Sequence, residues 1–174
     1  VDETGEFMSI TGVRVGQGFD IHRFSDDPKR LLVLGGVTFE GVRGLEGHSD
    51  ADAIAHACAD ALLGAAGLGD IGQHFPDTDP QWKGVDSLKL LDHVAMLVRA
   101  QGWVIGNIDC SVVCEQPKLA PRRDEMQQKL SAVAGAPVSV KGRRAEGLGA
   151  LGRQEGIACW AVAVIFQVEN RSEV

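Results

Sequence analysis

An aspartate and a histidine stand two positions apart near the start of the chain, in the segment GQGFDIHRF that runs from Gly16 to Phe24. In an extended strand, side chains at positions i and i+2 face the same way. Asp20 and His22 would therefore project together, while Ile21 points into the core. A carboxylate and an imidazole both suit zinc, so the pair offers two corners of a tetrahedral metal site. The alternative is a chance D-x-H spacing.

A third candidate ligand, His56, lies in a helical segment but off its apolar stripe. Asp52 and Asp60 stand four positions before and after it, on the same helix face. Either acid could hold the second imidazole nitrogen, as outer partners of zinc ligands do. The alternative is a solvated polar face. With the D-x-H pair, His56 would make three ligands and leave the fourth zinc position open, which is typical of a working site rather than a structural one.

Two further segments contain groups that could bind phosphates and hydroxyls. His48 and Ser49 stand where the same helix is predicted to begin, and a helix N-terminus favours an anion such as phosphate. The alternative is a simple cap with a bystander histidine. Farther on, the acidic loop segments Asp70–Gly72 and Phe75–Asp79 could accept hydrogen bonds from hydroxyl groups.

Near the other end of the chain, a strand ends at Pro117-Lys118 in CEQPKLAP, which frees backbone groups to read a planar base. Lys118 offers one cation for a phosphate. A later segment combines Lys141, Arg143, Arg144 and Arg153 with Glu146 and Glu155. Basic groups beside a carboxylate can hold a diphosphate together with its divalent ion. Taken singly, each run is also typical of a solvated surface.

The elements that must position these residues are a mixture of strands and helices. Period-2 and apolar patterns predict strands at 13–15, 31–39, 103–116, 137–144 and 159–168, with 31–39 split into two by Gly35-Gly36. Helical periodicity predicts a helix that follows Ser49 and ends at the glycines of 64–69, a second from about Leu90 to Gly102, and a third from Pro121 to about Val133. The long apolar last strand indicates a sheet covered by helices. We expect an α+β fold with a mixed β-sheet covered on one side by three helices, in a two-layer chorismate-mutase-like or ferredoxin-like arrangement.

Length and composition narrow the class of protein. The 174 residues favour one domain, at 13–168, with a tail or cloning remnant at 1–12 and a C-terminal tail at 169–174. The net charge of −7 argues against a general nucleic-acid binder. No apolar run reaches the ~18 residues that a membrane span needs. The four cysteines form no C-x-x-C pair and lie in apolar segments, so we expect reduced core residues and a cytoplasmic protein, or one of an organelle stroma.

Assembled together, these motifs closely resemble the family of 2-C-methyl-D-erythritol 2,4-cyclodiphosphate synthases, of the non-mevalonate isoprenoid pathway. The matching segments are GFDIH, GHSDADAIAHACADALLGAAGLGDIG, FPDTDP, GNID, Pro117-Lys118 and GLGALGRQEGIAC, from Arg14 to about Phe166. The resemblance implies a homotrimer with active sites between neighbouring subunits. It also implies a lyase that cyclises 4-diphosphocytidyl-2-C-methyl-D-erythritol 2-phosphate and releases CMP.

The resemblance also implies roles for individual residues. Zinc would be bound by Asp20, His22 and His56, and a second divalent ion, Mg²⁺ or Mn²⁺, by Glu146. His48, Lys118 and Arg144 would be catalytic, with His48 stabilising the transition state. The substrate would contact Asp20, His22, His48, Ser49, Asp70, Ile71, Gly72, Phe75, Pro76, Asp77, Thr78, Asp79, Cys114, Glu115, Gln116, Pro117, Lys118, Leu119, Ala120, Arg143, Arg144, Ala145, Glu146, Ala150 and Arg153.

Three positions depart from the family pattern, one of which is Gln17 in place of a frequent histidine, a change that we take as neutral. Arg144 stands where a threonine usually supports the leaving diphosphate, and an arginine can also stabilise that charge. Ala150 stands where a bulkier residue often packs near the pocket.

Two other functions stay open at this level. One is a zinc hydrolase acting on a phosphate ester, for which only Asp52 or Asp60 could serve as general base. The other is a non-catalytic trimer that binds an isoprenoid diphosphate on its symmetry axis, in the cavity that Phe19, Arg153 and Glu155 line in the family.

Overall fold

The structure is a computed structural model that describes residues 8–170. Its strands and helices follow one another along the chain in the order β1 (Met8–Arg23), β2 (Leu31–Leu34), β3 (Val37–Arg43), α1 (Ala53–Ala66), α2 (Ile71–His74), α3 (Ser87–Ala100), β4 (Val104–Val113), α4 (Arg123–Ala134), β5 (Val138–Arg143), α5 (Gly149–Gly152) and β6 (Gly156–Asn170). Short 3-10 helices lie at Pro80–Trp82 and Ala120–Arg122.

Four strands form one mixed sheet in the order β1-β6-β4-β5, while β2 and β3 form a separate hairpin. Strand β6 pairs antiparallel with β1 and β4, and β4 pairs parallel with β5. The long apolar strand predicted at the end of the chain is therefore central. The expectation of a mixed sheet packed against helices is confirmed.

The helices cover only one face of this sheet. Helices α1, α3 and α4 pack against its strands, and along β6 the alternate residues Cys159, Ala161 and Ala163 are fully buried beneath them. Trp160 and Val162 point the other way and are 41% and 42% exposed. The face without helices is thus apolar and open within one chain.

Ile21 belongs to that open face and is 52% exposed. The expectation that it points into the core is wrong. The period of two holds for β1, but the apolar residue of the D-x-H segment lies on the uncovered side of the sheet.

Helix α1 lies on β1 at backbone contact distance. A Cβ at Gly16 would stand 2.0 Å from the carbonyl oxygen of Ala61, and one at Gly18 would stand 2.0 Å from that of Ala57. No side chain fits in such a gap, so only glycine permits the helix to come this close. This approach places the N-terminal half of α1 beside the end of β1 that carries the D-x-H pair.

A buried carboxylate ties the start of α1 to the β2–β3 turn. Asp52 is the N-cap, and its Oδ1 accepts hydrogen bonds from the backbone N–H groups of Ile54 (3.1 Å) and Ala55 (3.2 Å). Its two oxygens also accept the N–H groups of Gly35 (2.8 Å) and Gly36 (2.7 Å). Burial raises the pKa of Asp52 to about 6, against the opposing effect of these backbone hydrogen bonds.

Several predicted boundaries shift. The cap of α1 is Asp52 rather than Ser49, because α1 begins at Ala53. The acidic loop contains α2 and a 3-10 helix, each capped by an aspartate that accepts a backbone N–H, Asp70 and Asp79. Strand β1 begins at Met8 and β6 ends at Asn170, so both strands extend into the segments assigned to tails. The rest of those tails, 1–7 and 171–174, lies outside the described residues.

All four cysteines are free and buried, as expected for reduced core residues. Cys58 of α1 and Cys110 of β4 meet beneath the helix with their sulfur atoms 3.3 Å apart. Within residues 8–170, no helix combines the length and apolar character that crossing a membrane requires.

Replacing Gly18 with alanine tests the close approach of α1. We expect Gly18→Ala to lower the free energy of unfolding by about 3 kcal/mol, because the added methyl group overpacks a backbone contact. Gly64→Ala is the matched control: its Cβ would meet only the Gln17 carbonyl oxygen, at 3.8 Å. It should raise the free energy of unfolding by about 0.5–1 kcal/mol, as for a helical glycine changed to alanine. Urea denaturation measures both, and equal effects would contradict the close packing.

Candidate metal and substrate site

Three of the predicted ligands converge on one point. The Oδ2 atom of Asp20 lies 3.0 Å from Nε2 of His22 and 2.9 Å from Nδ1 of His56. The two imidazole nitrogens are 3.3 Å apart. Strand β1 supplies the first two side chains and α1 supplies the third, so the α1–β1 contact assembles the cluster. Among the described residues these are the ones that group as a possible metal site.

The spacing of these atoms fits a transition metal. Ligand atoms at 2.0–2.1 Å from a tetrahedral zinc ion stand about 3.3 Å from one another. The triangle of one oxygen and two nitrogens has sides of 2.9 to 3.3 Å, so a small movement outward accommodates the ion. The donor set of one carboxylate and two imidazoles is one that zinc accepts.

The second nitrogen of each imidazole faces an oxygen atom. His22 Nδ1 lies 2.7 Å from the carbonyl oxygen of Glu46, which can only accept a hydrogen bond. His56 Nε2 lies 2.8 Å from Ser87 Oγ and 3.1 Å from Ser49 Oγ. The lone pair of His22 is therefore left at Nε2, inside the cluster. Metal-ligating histidines are held in this way in proteins.

Asp20 and the two histidines stabilise each other's charged forms, as the pKa shifts of Asp20 and His56 indicate. Burial acts to raise the pKa of Asp20, but hydrogen bonds and charge attraction from His22 and His56 outweigh it and hold that pKa well below its usual value. Burial acts to lower the pKa of His56, but the hydrogen bond to Asp20 and the nearby carboxylates raise it. Asp20 is thus ionised at neutral pH and available to a cation.

Asp52 and Asp60 do not hold the second nitrogen of His56, contrary to expectation. The carboxylate of Asp52 is used in capping α1 and binding the β2–β3 turn. Asp60 Oδ1 accepts the backbone N–H of Ile71 at 2.7 Å. Both carboxylates are engaged by backbone N–H groups, and neither is hydrogen-bonded to a residue of the triad, so nothing in the geometry favours the hydrolase.

A cavity of about 350 Å³ opens beside the three ligands. Its lining includes these predicted site residues: Asp20, His22, His48, Ser49, His56, Ile71, Gly72, Phe75 and Asp77. Trp82 and Leu90 also line it and were missed by the sequence reasoning, because an indole and a leucine on the apolar stripe of a helix carry no chemical signal of their own.

His48 and Ser49 are held by their backbone rather than by a helix terminus. They lie in a bend that precedes Asp52, so their predicted place at the helix N-terminus is wrong. Arg30 donates to the carbonyl oxygens of Gly47 (2.9 Å) and Ser49 (2.6 Å) and so fixes the bend. His48 Nε2 lies 3.1 Å from the carbonyl oxygen of Asp79, which leaves Nδ1 as its free nitrogen.

A second cavity, of about 220 Å³, collects the residues predicted to bind the base. It is lined by Cys114, Glu115, Gln116, Pro117, Lys118, Leu119, Ala120, Arg123, Gly142, Arg143 and Arg144. Arg144 Nε lies 3.2 Å from Oε2 of Glu115, whose side chain is 9% exposed. Burial raises the pKa of Cys114 to about 11, so its thiol is neutral.

The remaining predicted substrate residues line neither cavity: Asp70, Pro76, Thr78, Asp79, Ala145, Glu146, Ala150 and Arg153. Asp70 is occupied within the chain, since it accepts hydrogen bonds from the backbone and side chain of Gln73. Glu146 is exposed, with a φ angle of 53°.

The two cavities lie at the same end of the sheet, the first beside β1 and the second beside β5. Asp20 is paired with Cys159, Cys159 with Val112, and Val112 with Gly142, so these residues are level across all four strands. Three strand spacings separate Asp20 from Gly142, or about 14 Å. The candidate metal ligands and the predicted base pocket are therefore distinct features of one chain.

Comparison with known proteins reveals close relatives. The model of the YgbB family matches residues 13–166. A 2-C-methyl-D-erythritol 2,4-cyclodiphosphate synthase from Trichlorobacter lovleyi is 48% identical over 157 residues, which are 88% of this chain and 99% of that protein. A bifunctional enzyme IspD/IspF from Anaeromyxobacter dehalogenans is 54% identical over 158 residues, which cover 89% of this chain. The chain spans only 40% of the length of that bifunctional relative.

A solved structure shares the fold. IspF from Plasmodium falciparum, in a complex with CDP, superposes with a TM-score of 0.78 at 34% sequence identity. The match covers 91% of this chain and 99% of that one.

Removing one ligand tests the metal site. We expect the protein to bind zinc at one ion per chain and His56→Ala to lose that stoichiometric binding, because two ligands remain on β1. His93→Ala is the control, since His93 is an exposed histidine outside the triad. Equilibrium dialysis followed by metal analysis gives the stoichiometry. Full zinc loading of His56→Ala would contradict the assignment.

Proposed function

Because the chain belongs to the YgbB family of 2-C-methyl-D-erythritol 2,4-cyclodiphosphate synthases, we propose that it cyclises 4-diphosphocytidyl-2-C-methyl-D-erythritol 2-phosphate. The products are 2-C-methyl-D-erythritol 2,4-cyclodiphosphate and CMP, in the non-mevalonate route to isoprenoid precursors. The observation that carries the proposal is the convergence of Asp20, His22 and His56 beside a cavity that also contains His48 and Ser49. The reduced cysteines support a cytoplasmic location.

The reaction requires positioning rather than a protein nucleophile. The 2-phosphate attacks the β-phosphorus of the diphosphate within the same molecule, the bond from that phosphorus to the CMP oxygen breaks, and an eight-membered ring closes. Both reacting groups are anionic. The protein must therefore fold the substrate and offset repulsion between its phosphates, which is the usual demand of phosphoryl transfer.

Metal ions would supply part of that neutralisation. Asp20, His22 and His56 would hold zinc, which would supply a Lewis acid to polarise a phosphate oxygen. A second ion, Mg²⁺ or Mn²⁺, would be held by Glu146 at the diphosphate. The exposed position of Glu146 leaves its carboxylate accessible to such an ion.

Polar and charged side chains would contribute the rest of the charge neutralisation and position the substrate. His48 is fixed through Nε2, so its Nδ1 is the atom available to the phosphate of the attacking end, and Ser49 stands beside it. Cys114 to Ala120 would hold the cytosine. Lys118 and Arg144 line that same cavity and would stabilise the negative charge of the diphosphate as CMP leaves.

We further propose that the chain acts as a homotrimer of single domains spanning 13–168, with each active site shared by neighbouring subunits. The two-layer chorismate-mutase-like or ferredoxin-like description belongs to the same proposal. The open face of the sheet supports it. Val13, Val15, Trp160 and Val162 are 41–64% exposed there, and monomeric proteins rarely expose such a contiguous apolar face.

The reaction itself can be tested by product analysis. Incubation with the cytidyl substrate and zinc should release CMP together with a cyclic diphosphate. A linear phosphate product would contradict the cyclase and support a hydrolase. Binding of an isoprenoid diphosphate with no CMP release would support the non-catalytic trimer.

We expect His48→Ala to reduce turnover by about 10²–10³-fold, the usual loss for one preorganised group that stabilises charge, while zinc stoichiometry stays at one ion per chain.

The trimer can be tested with a charge on the open face. Val162→Asp should dissociate the protein to single chains and abolish most CMP release, because each site would lose its neighbouring subunit. Zinc binding should persist, since all three ligands come from one chain. Met96→Asp is the matched control, as Met96 is 53% exposed on α3, on the other side of the sheet. Light scattering gives the mass, and an active single-chain Val162→Asp variant would contradict the shared site.

A further inference from the structure

A serine that is distant in sequence contacts the nitrogen of His56 that faces away from the other two candidate ligands. Ser87 is the first residue of α3 and is fully buried. Its Oγ lies 2.8 Å from Nε2 of His56, on the side of the ring opposite the candidate metal position. Ser87 touches neither of the other two ligands and does not line the cavity.

Ser87 is itself fixed by Asp50. The backbone N–H of Ser87 donates to Oδ2 of Asp50 at 3.2 Å, and its hydroxyl donates to Oδ1. The same Oδ1 accepts the N–H of Asp52 at 3.2 Å, and the N–H of Asp50 donates to the carbonyl oxygen of Val85 at 3.1 Å. Asp50 is thereby fixed through both its backbone and its carboxylate, and that carboxylate accepts hydrogen bonds from two groups of Ser87.

The directions of these hydrogen bonds follow from the chemistry of the groups. An ionised carboxylate only accepts, so the single hydrogen of the Ser87 hydroxyl goes to Asp50. A lone pair of Oγ is then left for His56, and Nε2 must donate. A neutral imidazole carries one hydrogen, so a ring that turns the lone pair of Nδ1 toward a cation keeps its hydrogen on Nε2, where Ser87 accepts it.

We propose that Asp50 and Ser87 form a positioning pair that fixes the tautomer and orientation of His56 and so sets the affinity of the cluster for its metal ion. This inference rests on the proposed metal site and adds two residues that touch neither metal nor substrate. A buried aspartate that fixes an imidazole tautomer does comparable work in the serine-protease triad, where its amide replacement leaves the geometry intact but selects the wrong tautomer.

Substitution of either partner should weaken zinc binding, although each acts by a different route. Ser87→Ala removes the acceptor at 2.8 Å and leaves only Ser49 Oγ, at 3.1 Å, for Nε2. Asp50→Asn keeps the shape, but an amide cannot accept from donors on both sides. With its NH₂ group toward Ser87, it would turn the hydroxyl round to donate to His56, which moves the imidazole hydrogen to Nδ1.

The test is zinc titration in competition with a chelator of known affinity. We expect Ser87→Ala and Asp50→Asn each to weaken zinc binding by about 10–100-fold, the usual effect of losing an outer partner of a metal ligand. Ser139→Ala is the matched control, because it removes a serine–aspartate hydrogen bond, to Asp109, away from the site. It should leave zinc affinity unchanged. Thermal unfolding of the metal-free variants separates this effect from a general loss of stability.

Nitrogen-15 NMR of the imidazoles in zinc-loaded protein reads the second nitrogen of His56 directly. Nε2 should carry a hydrogen whose signal is shifted by its hydrogen bond to Ser87, and Ser87→Ala should move that signal more than it moves the signals of His22. Unchanged zinc affinity in both variants, or an Nε2 signal of His56 that does not respond to Ser87→Ala, would overturn the positioning pair. Failure of the unaltered protein to bind zinc at all would instead overturn the proposed metal site.

Discussion

Backbone contact between α1 and β1 is the constraint on which the candidate site depends. A helix normally stands off a sheet by the length of its side chains, but Gly16 and Gly18 remove that layer. The approach brings a histidine of α1 to within 3.3 Å of a histidine of β1, across 34 positions of sequence. Without it, Asp20 and His22 would be a polar pair on an edge strand. The two glycines therefore affect the candidate site by setting the distance between α1 and β1, although neither would contact metal or substrate.

Two carboxylates in the segment before α1 fix the position of this helix relative to the β2–β3 turn and to the start of α3. Asp52 accepts four backbone N–H groups, two from the β2–β3 turn and two from the first turn of α1, so the helix can neither slide nor rotate easily. Asp50, two positions earlier, holds the start of α3 through Ser87. Two acids in one short segment thus connect a hairpin, two helices and a metal ligand. The hydrogen bonds that it accepts explain how the Asp52 carboxylate can be fully buried.

The three candidate metal ligands could be singled out from the sequence because their signals are local. The period of a strand pairs Asp20 with His22, and a polar residue off an apolar stripe marks His56. Their partners could not be predicted, because Ser87 meets His56 across 31 positions and Asp50 meets Ser87 across 37. The orientation of Ile21 was predicted wrongly because both faces of the sheet are apolar, so hydropathy cannot tell the covered face from the open one.

Anomalous X-ray diffraction at the zinc edge, from crystals grown with zinc, tests the central claim most directly. One peak per chain is expected, about 2.0–2.2 Å from Asp20 Oδ2, His22 Nε2 and His56 Nδ1 at once. The ion should have a further position open toward the cavity of about 350 Å³. A peak elsewhere, or the two imidazoles turned away from any common point, would contradict the account.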